Sequence, residues 1–254
     1  MKLHFRKFGQ GQPMIILHGL FGQSDNWNSL GKQFAESGFE VYVADQRNHG
    51  LSPHSDEWSF QFMSDDLGEL INDNNLSNVI LVGHSLGGKT VMLYTLQNPS
   101  KVDKLIVADI APKYYAPHHQ SVLAGLNAVD FNDVKTRREA EDILRAHISD
   151  FGTRQFLLKN IYWKEDGHLD WRFNLKVISE NIENVGSDIP QSDSVDVPAL
   201  FIRGANSDYI LDEDIDTIQE LFPRMMLETI EGAGHWVHAE KPKEFFESVI
   251  NFVK

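Results

Sequence analysis

The sequence predicts an α/β fold: a mostly parallel central sheet flanked by helices, with a helical insertion. Three observations point there. Short apolar runs alternate with helix-length amphipathic stretches. One of those runs, Val79-Ile80-Leu81-Val82, leads straight into Gly83-His84-Ser85-Leu86-Gly87, a G-x-S-x-G pentapeptide. The alternation then breaks between about Pro112 and Pro198 and resumes beyond it.

The apolar runs predict strands over residues 3–8, 14–17, 40–44, 79–82, 104–108, 199–202 and 226–230. Helical spacing predicts helices near 25–37, 60–72, 87–97, 212–221 and 241–252. Continuous apolar strands separated by helices imply a parallel sheet covered on both faces. In such sheets function gathers in the loops beyond the carboxyl ends of the strands. The stretch from Pro112 to Pro198 shows no clear strand. It carries helical patterning over 120–129, 134–148, 153–162 and 173–183. It is far longer than an ordinary crossover. The expected division is therefore a core of residues 1–112 and 198–254, with residues 113–197 forming a helical cap over the carboxyl edge of the sheet.

Composition narrows the classes of function. The 254 residues are 41% hydrophobic and 24% charged, ordinary values for a globular chain. The formal charge of −14 repels phosphate backbones, so nucleic acid is not an expected partner. No apolar run approaches the ~20 residues of a membrane span. The opening Met1-Lys2-Leu3-His4-Phe5-Arg6 lacks the apolar centre of a signal peptide. There is no cysteine, which excludes disulfides, a thiolate nucleophile and cysteine metal sites, and a cytoplasmic location is expected. The sequence carries no signal for oligomeric state.

The pentapeptide has meaning through its context. A strand that delivers the chain to a sharp turn, with a helix leaving it, exposes Ser85 on the corner in a strained backbone conformation. Gly83 and Gly87 remove side chains that would crowd the turn. The alternative is a glycine-rich turn with an incidental serine. A hydroxyl at neutral pH needs a base. Among 11 histidines, His235 stands out: it sits in Glu231-Gly232-Ala233-Gly234-His235-Trp236, after the last strand run and before the last helix. His84 is expected to point away from its neighbour Ser85 and to pack. His238 lies near His235, but no metal-ligand spacing surrounds it. Negative charge developing on a carbonyl oxygen needs waiting donors. The backbone N–H of Leu86 is one. The loop His18-Gly19-Leu20-Phe21-Gly22 supplies a second, from Leu20 or, failing that, Phe21. Two aspartates end strands where they can orient the imidazole: Asp208, whose distance from His235 suits the commonest hydrolase arrangement, and Asp109. Spacing alone does not choose between them; in the absence of other information the reading leans to Asp208.

Taken together these residues resemble the α/β-hydrolase superfamily. The segment Asp45-Gln46-Arg47-Asn48-His49-Gly50-Leu51-Ser52-Pro53 resembles the D-x-R-N-H-G-x-S-P signature of the YbfF-type small esterases. Residues 18–22, 83–89, 109–112, 171–174 and 232–242 match the same family, so the resemblance spans nearly the whole chain. It implies cleavage of carboxylic esters or acyl thioesters, acyl-CoA among them, through a serine, histidine and aspartate and an acyl-enzyme, with a small-molecule substrate and no cofactor. It also implies Asp109, in Asp109-Ile110-Ala111-Pro112, as the acid. The family's G-x-N-S-x-Y segment usually has no acid, and this chain departs from it by placing Asp208 there. The residues Arg47, Asn48 and His49 receive no catalytic role. Rival readings are C–C bond hydrolysis or perhydrolysis by the same three residues, and a non-catalytic ligand receptor on the same scaffold. Aromatic residues of the insertion (Phe156, Trp163, Trp171, Phe173) suit either an apolar acyl site or the insertion's own core.

Overall fold

A computed structural model describes residues 1–254 apart from His118, Gln191 and Ser192. In chain order the first elements are β1 (Phe5–Gly9), β2 (Gln12–Leu17), α1 (Asn28–Glu36), β3 (Phe39–Ala44), α2 (Phe60–Asp73), β4 (Val79–His84), α3 (Leu86–Gln97) and β5 (Val102–Ala108). Then come α4 (Gln120–Ala128), α5 (Arg137–Arg145), α6 (Phe151–Leu158), β6 (Ile161–Trp163), β7 (Leu169–Trp171), α7 (Leu175–Glu180) and α8 (Ile182–Gly186). The chain closes with β8 (Ala199–Gly204), α9 (Ile215–Leu221), β9 (Met225–Ile230), α10 (Val237–Glu240) and α11 (Pro242–Val253).

Seven strands form one sheet in the order β1-β3-β2-β4-β5-β8-β9. Only β1 runs antiparallel, against β3. Side chains alternate across a strand, so each strand feeds two cores. Val79 and Leu81 of β4 join the cluster beneath α2 and α3; Ile80 and Val82 join the one beneath α1 and α11. That double burial is why these strands read as continuous apolar runs. Helix α3 lies so deep that Leu86 through Thr95 are all buried, which is why it lacks an amphipathic stripe. The ends of helices follow local chemistry: Ser59 accepts from the Phe62 N–H to open α2, and Asp150 accepts from Thr153 to open α6.

The segment between β5 and β8 departs from the sequence expectation in two respects, the first being that the single helix expected over 173–183 is divided at Asn181 into α7 and α8. Second, besides helices α4 to α8 it contains an antiparallel hairpin, with Ile161 opposite Trp171 and Trp163 opposite Leu169. The helix expected over 153–162 ends at Leu158, and the chain then enters β6. Three-residue strands are too short for a period-two pattern to register. The apolar face of this segment, including Leu126, Leu144, Leu157 and Phe173, belongs to the same cluster as one face of the sheet.

The strand-to-helix corner depends on missing side chains. A Cβ on Gly83 would lie 2.3 Å from the Gly87 carbonyl oxygen, and one on Gly87 would lie 2.5 Å from that of Leu17. Both obstacles are backbone and cannot swing aside. Gly83→Ala is therefore expected to destabilise by at least about 1–3 kcal/mol, the usual cost of overpacking. Gly152→Ala, where the nearest atom is a side-chain oxygen of Asp150 at 3.3 Å, serves as the helical control. Thermal unfolding of both variants checks this; equal melting temperatures for Gly83→Ala and the wild type would contradict it.

Candidate active site

The carboxyl ends of β4, β5, β8 and β2 converge on one edge of the sheet. Ser85 stands at the corner after β4 with φ 53° and ψ −116°. Its N–H donates to the Ala108 carbonyl (3.0 Å) and its own carbonyl accepts from Lys89 (3.1 Å), which anchors the corner on both sides. Asp109, at the end of the neighbouring β5, also has a positive φ of 52°. Its N–H donates to the Ile202 carbonyl at 2.8 Å, so the turn is fixed by β8.

That turn aims the Asp109 carboxylate, fully buried, at His235. His235 Nδ1 lies 2.7 Å from Oδ2. Gly204 N–H donates to Oδ1 at 3.1 Å, and the Ser207 hydroxyl donates to Oδ2. A carboxylate only accepts, so in the neutral ring Nδ1 carries the proton and Nε2 the lone pair. The Tyr209 ring stacks on the imidazole at 3.8 Å. Nε2 of His84 donates to the His235 carbonyl at 2.9 Å, so His84 packs against the histidine loop and helps hold it. Asp208 is exposed, and none of the described bonds ties it to His235.

Ser85 and His235 line the same cavity of about 530 Å³. Its apolar wall comes from Phe21, Val122, Phe156, Leu157 and Trp236, joining the loop after β2, the insertion and the loop after β9. Of the four insertion aromatics, Phe156 lines this cavity and meets Trp236 at 5.9 Å. Trp171 and Phe173 stack on each other in the buried core, and Trp163 is exposed.

The loop of residues 18–22 folds against the sheet edge through its histidine. His18 Nδ1 donates to the Gly19 carbonyl at 2.8 Å, and Gly22 N–H donates to the same oxygen at 2.9 Å. In a planar trans peptide the N–H points opposite the carbonyl. Pinning the Gly19 oxygen therefore fixes the direction of the Leu20 N–H. Neither Leu20 nor Leu86 N–H has an acceptor among the described bonds. The Phe21 N–H is different: it donates to His49 Nε2 at 3.2 Å.

This contact gives His49 a place that sequence reasoning missed. None of Arg47, Asn48 and His49 lines the cavity; all three are buried behind it. Arg47 makes a bidentate pair with Asp66 (2.7 and 2.9 Å). The Asn48 carbonyl accepts from Asn174 N–H of the insertion at 2.9 Å. His49 Nδ1 donates to the Arg47 carbonyl, leaving Nε2 to hold Phe21, whose φ is 58°. Gly50 is required there, since a Cβ would lie 2.2 Å from Asp45 Cγ. The partner of His49 is distant in sequence, and no local pattern announces it.

The geometry defines a class. A family model described as the alpha/beta hydrolase fold matches residues 12–242, and the chain belongs to that family. Among its relatives, the sn-1-specific diacylglycerol lipase ABHD11 of Xenopus laevis is 38% identical over 252 residues, covering 96% of this chain and 80% of that one. Esterase YbfF of Escherichia coli is 36% identical, covering 100% of this chain and 99% of that one. A solved structure described as a marine microorganism esterase superposes with a TM-score of 0.97 at 48% identity over 99% of both chains. Among the described residues no cluster of histidine and carboxylate side chains is arranged for a metal ion, and no helix is long and apolar enough to cross a membrane.

Four buried histidines titrate abnormally, with burial as the leading cause in each. His18 is lowered to about 4, His49 and His238 to about 3, and His84 well below the ordinary value. The unfolded chain therefore takes up protons first as pH falls, from about 6.5 downward. Stability is full above that value and is lost through the window down to about 4 and 3. The urea midpoint is expected to fall between about pH 7.5 and 5, above the range where carboxylates dominate acid unfolding. A constant midpoint across that interval would show that these rings are not held neutral.

Proposed function

We propose that the chain is a carboxylesterase-type serine hydrolase in which Ser85, His235 and Asp109 act as the triad. The observation that carries this reading is the strained Ser85 corner sharing one cavity with a histidine whose Nδ1 is bonded to a buried aspartate. His235 Nε2 takes the Ser85 Oγ proton as Oγ attacks the carbonyl carbon of the ester. The resulting oxyanion is held by the N–H groups of Leu86 and Leu20. The tetrahedral intermediate collapses as the bond to the leaving oxygen breaks, and His235 gives that oxygen its proton. Water then repeats the sequence on the acyl-enzyme: it loses a proton to His235, releases the carboxylic acid and returns the proton to Ser85. A thioester follows the same steps with a thiol leaving.

The esterase and lipase names of the relatives support the reaction class. The substrate is a small-molecule ester, and no step needs a cofactor. Residues 113–197 act as a cap, since α4 and α6 contribute Val122 and Phe156 to the cavity wall. The acidic, cysteine-free sequence agrees with a cytoplasmic location.

The choice of acid is tested by kinetics on two variants of equal shape. Asp109→Asn is expected to lower kcat by up to about 10⁴-fold, because an amide cannot stabilise the imidazolium and favours the wrong tautomer. Asp208→Asn, at an exposed loop position, is expected to stay within a few-fold of the wild type. The opposite ranking would move the acid to Asp208.

His49 tests the donor loop. His49→Phe keeps a ring of similar size but cannot accept the Phe21 N–H. Loss of an aimed oxyanion donor costs about 10²–10³ in kcat, and a donor left free to drift is expected to cost about tenfold or more, with KM nearly unchanged. A loss confined to KM would mean that His49 shapes substrate binding instead.

A further inference from the structure

Ser85 stands on the partition between two chambers. On one side is the cavity of about 530 Å³ that contains His235. On the other is a recess of about 20 Å³ bordered by Leu86, Ile110, Tyr115, Ile182 and Val185. Leu20, Ser85, His119 and Tyr209 line both, whereas His235 lines only the larger. We propose that the recess is the acyl subsite, sized for an acetyl group, and that the large chamber receives the leaving alcohol or thiol. The substrates are then acetyl esters or thioesters of bulky apolar alcohols or thiols. This rests on the reading of Ser85 and His235 as nucleophile and base.

The orientation follows from the path of the proton. His235 must hand its proton to the leaving oxygen or sulfur, which therefore sits within hydrogen-bond reach of Nε2. The leaving group then occupies the chamber that contains His235. The acyl substituent lies on the opposite side of the carbonyl carbon, towards Leu86 and Ile110. Leu86 borders the recess and not the larger chamber, so a carbonyl held by its N–H has its acyl side there.

The limit on size follows from volume and from bracing. About 10–15 Å³ on this measure admits one water molecule, so 20 Å³ takes a methyl group and little more. A longer chain must push the walls apart, and the walls are tied. Lys89, only 1% exposed, donates from Nζ to the carbonyls of Lys113 (2.9 Å), Gly186 (3.2 Å) and Ser187. It thereby fastens both ends of the insertion to α3. Burial pushes this lysine down to about 7, and the three carbonyls are what satisfy its ammonium form. Tyr115 N–H donates to the Gly186 carbonyl at 2.8 Å, and its hydroxyl accepts from Ala111 N–H and donates to the Tyr209 carbonyl. A Cβ on Gly186 would lie 2.0 Å from the Tyr115 oxygen, so the two wall segments already touch.

Two substrate series test the assignment. With p-nitrophenyl acetate, butyrate and octanoate, kcat/KM is expected to fall at least about tenfold from acetate to butyrate and further to octanoate. With alkyl acetates, where leaving-group chemistry is nearly constant, hexyl acetate is expected to exceed methyl acetate by at least about tenfold. Ile182→Ala should raise the butyrate-to-acetate ratio about tenfold, with Val185→Ala as a second variant in the same wall. Phe156→Ala, in the large chamber, should instead lower the hexyl-to-methyl ratio. A kcat/KM that stays level or rises with acyl length, or a butyrate-to-acetate ratio unmoved by both wall variants, overturns the proposal. Fluorophosphonate labelling of the same samples separates the two levels. A labelled Ser85 with a rising acyl profile overturns the subsite alone, and an unlabelled Ser85 overturns the serine reading and the subsite with it.

Discussion

The structure turns on one strained residue. Ser85 holds φ 53° and ψ −116°, a region that costs a side-chain-bearing residue about 1–3 kcal/mol. It persists because everything around it is over-determined. β4 is paired on both sides, to β2 and β5. α3 is buried along most of its length, and the two glycines flanking the corner touch backbone where any Cβ would collide. The strain lifts the hydroxyl off the sheet edge and leaves the Leu86 N–H at a helix start without an intrahelical acceptor. A strained position is thus held by a rigid frame rather than by its own preferences.

Two loops complete the arrangement, and each is secured by residues that do not face the cavity. The aspartate turn after β5 is fixed by a bond to β8, so the sheet itself aims Asp109 at His235. The loop of residues 18–22 after β2 is fixed by His18 and His49, both neutral through burial and therefore able to accept at Nε2 while donating at Nδ1. Arg47 anchors that support to α2 through Asp66, and Asn48 joins it to the insertion through Asn174. The motif 45–53 is thus a frame that ties the core, the loop of residues 18–22 and the insertion together.

What the sequence made legible was what is local. Strand, glycine, serine, glycine and helix follow one another in the chain, so the corner could be read directly, as could the glycine-flanked His235. The partner of His235 could not. Asp109 and Asp208 both end strands, and their difference lies in which side chain the turn points at the imidazole. That is set by the order β5-β8-β9 and by the positive φ of Asp109, neither visible in spacing. The hairpin of Ile161–Trp163 and Leu169–Trp171 escaped because its strands are shorter than one clear alternation. His49 escaped because Phe21 lies 28 residues away, in another loop. The same limit applied to the insertion aromatics, where only the fold separates Phe156 on the cavity wall from Trp171 and Phe173 in the core.

The central claim is covalent: an acyl group resides on Ser85 during turnover. Rapid acid quench of the enzyme with p-nitrophenyl acetate, followed by proteolysis and mass spectrometry, tests it directly. The account predicts one acetyl group on the peptide containing Ser85, appearing with the burst of p-nitrophenol and absent after turnover is complete. Steady hydrolysis without any acylated intermediate, or acetyl carried on a different residue, would contradict it.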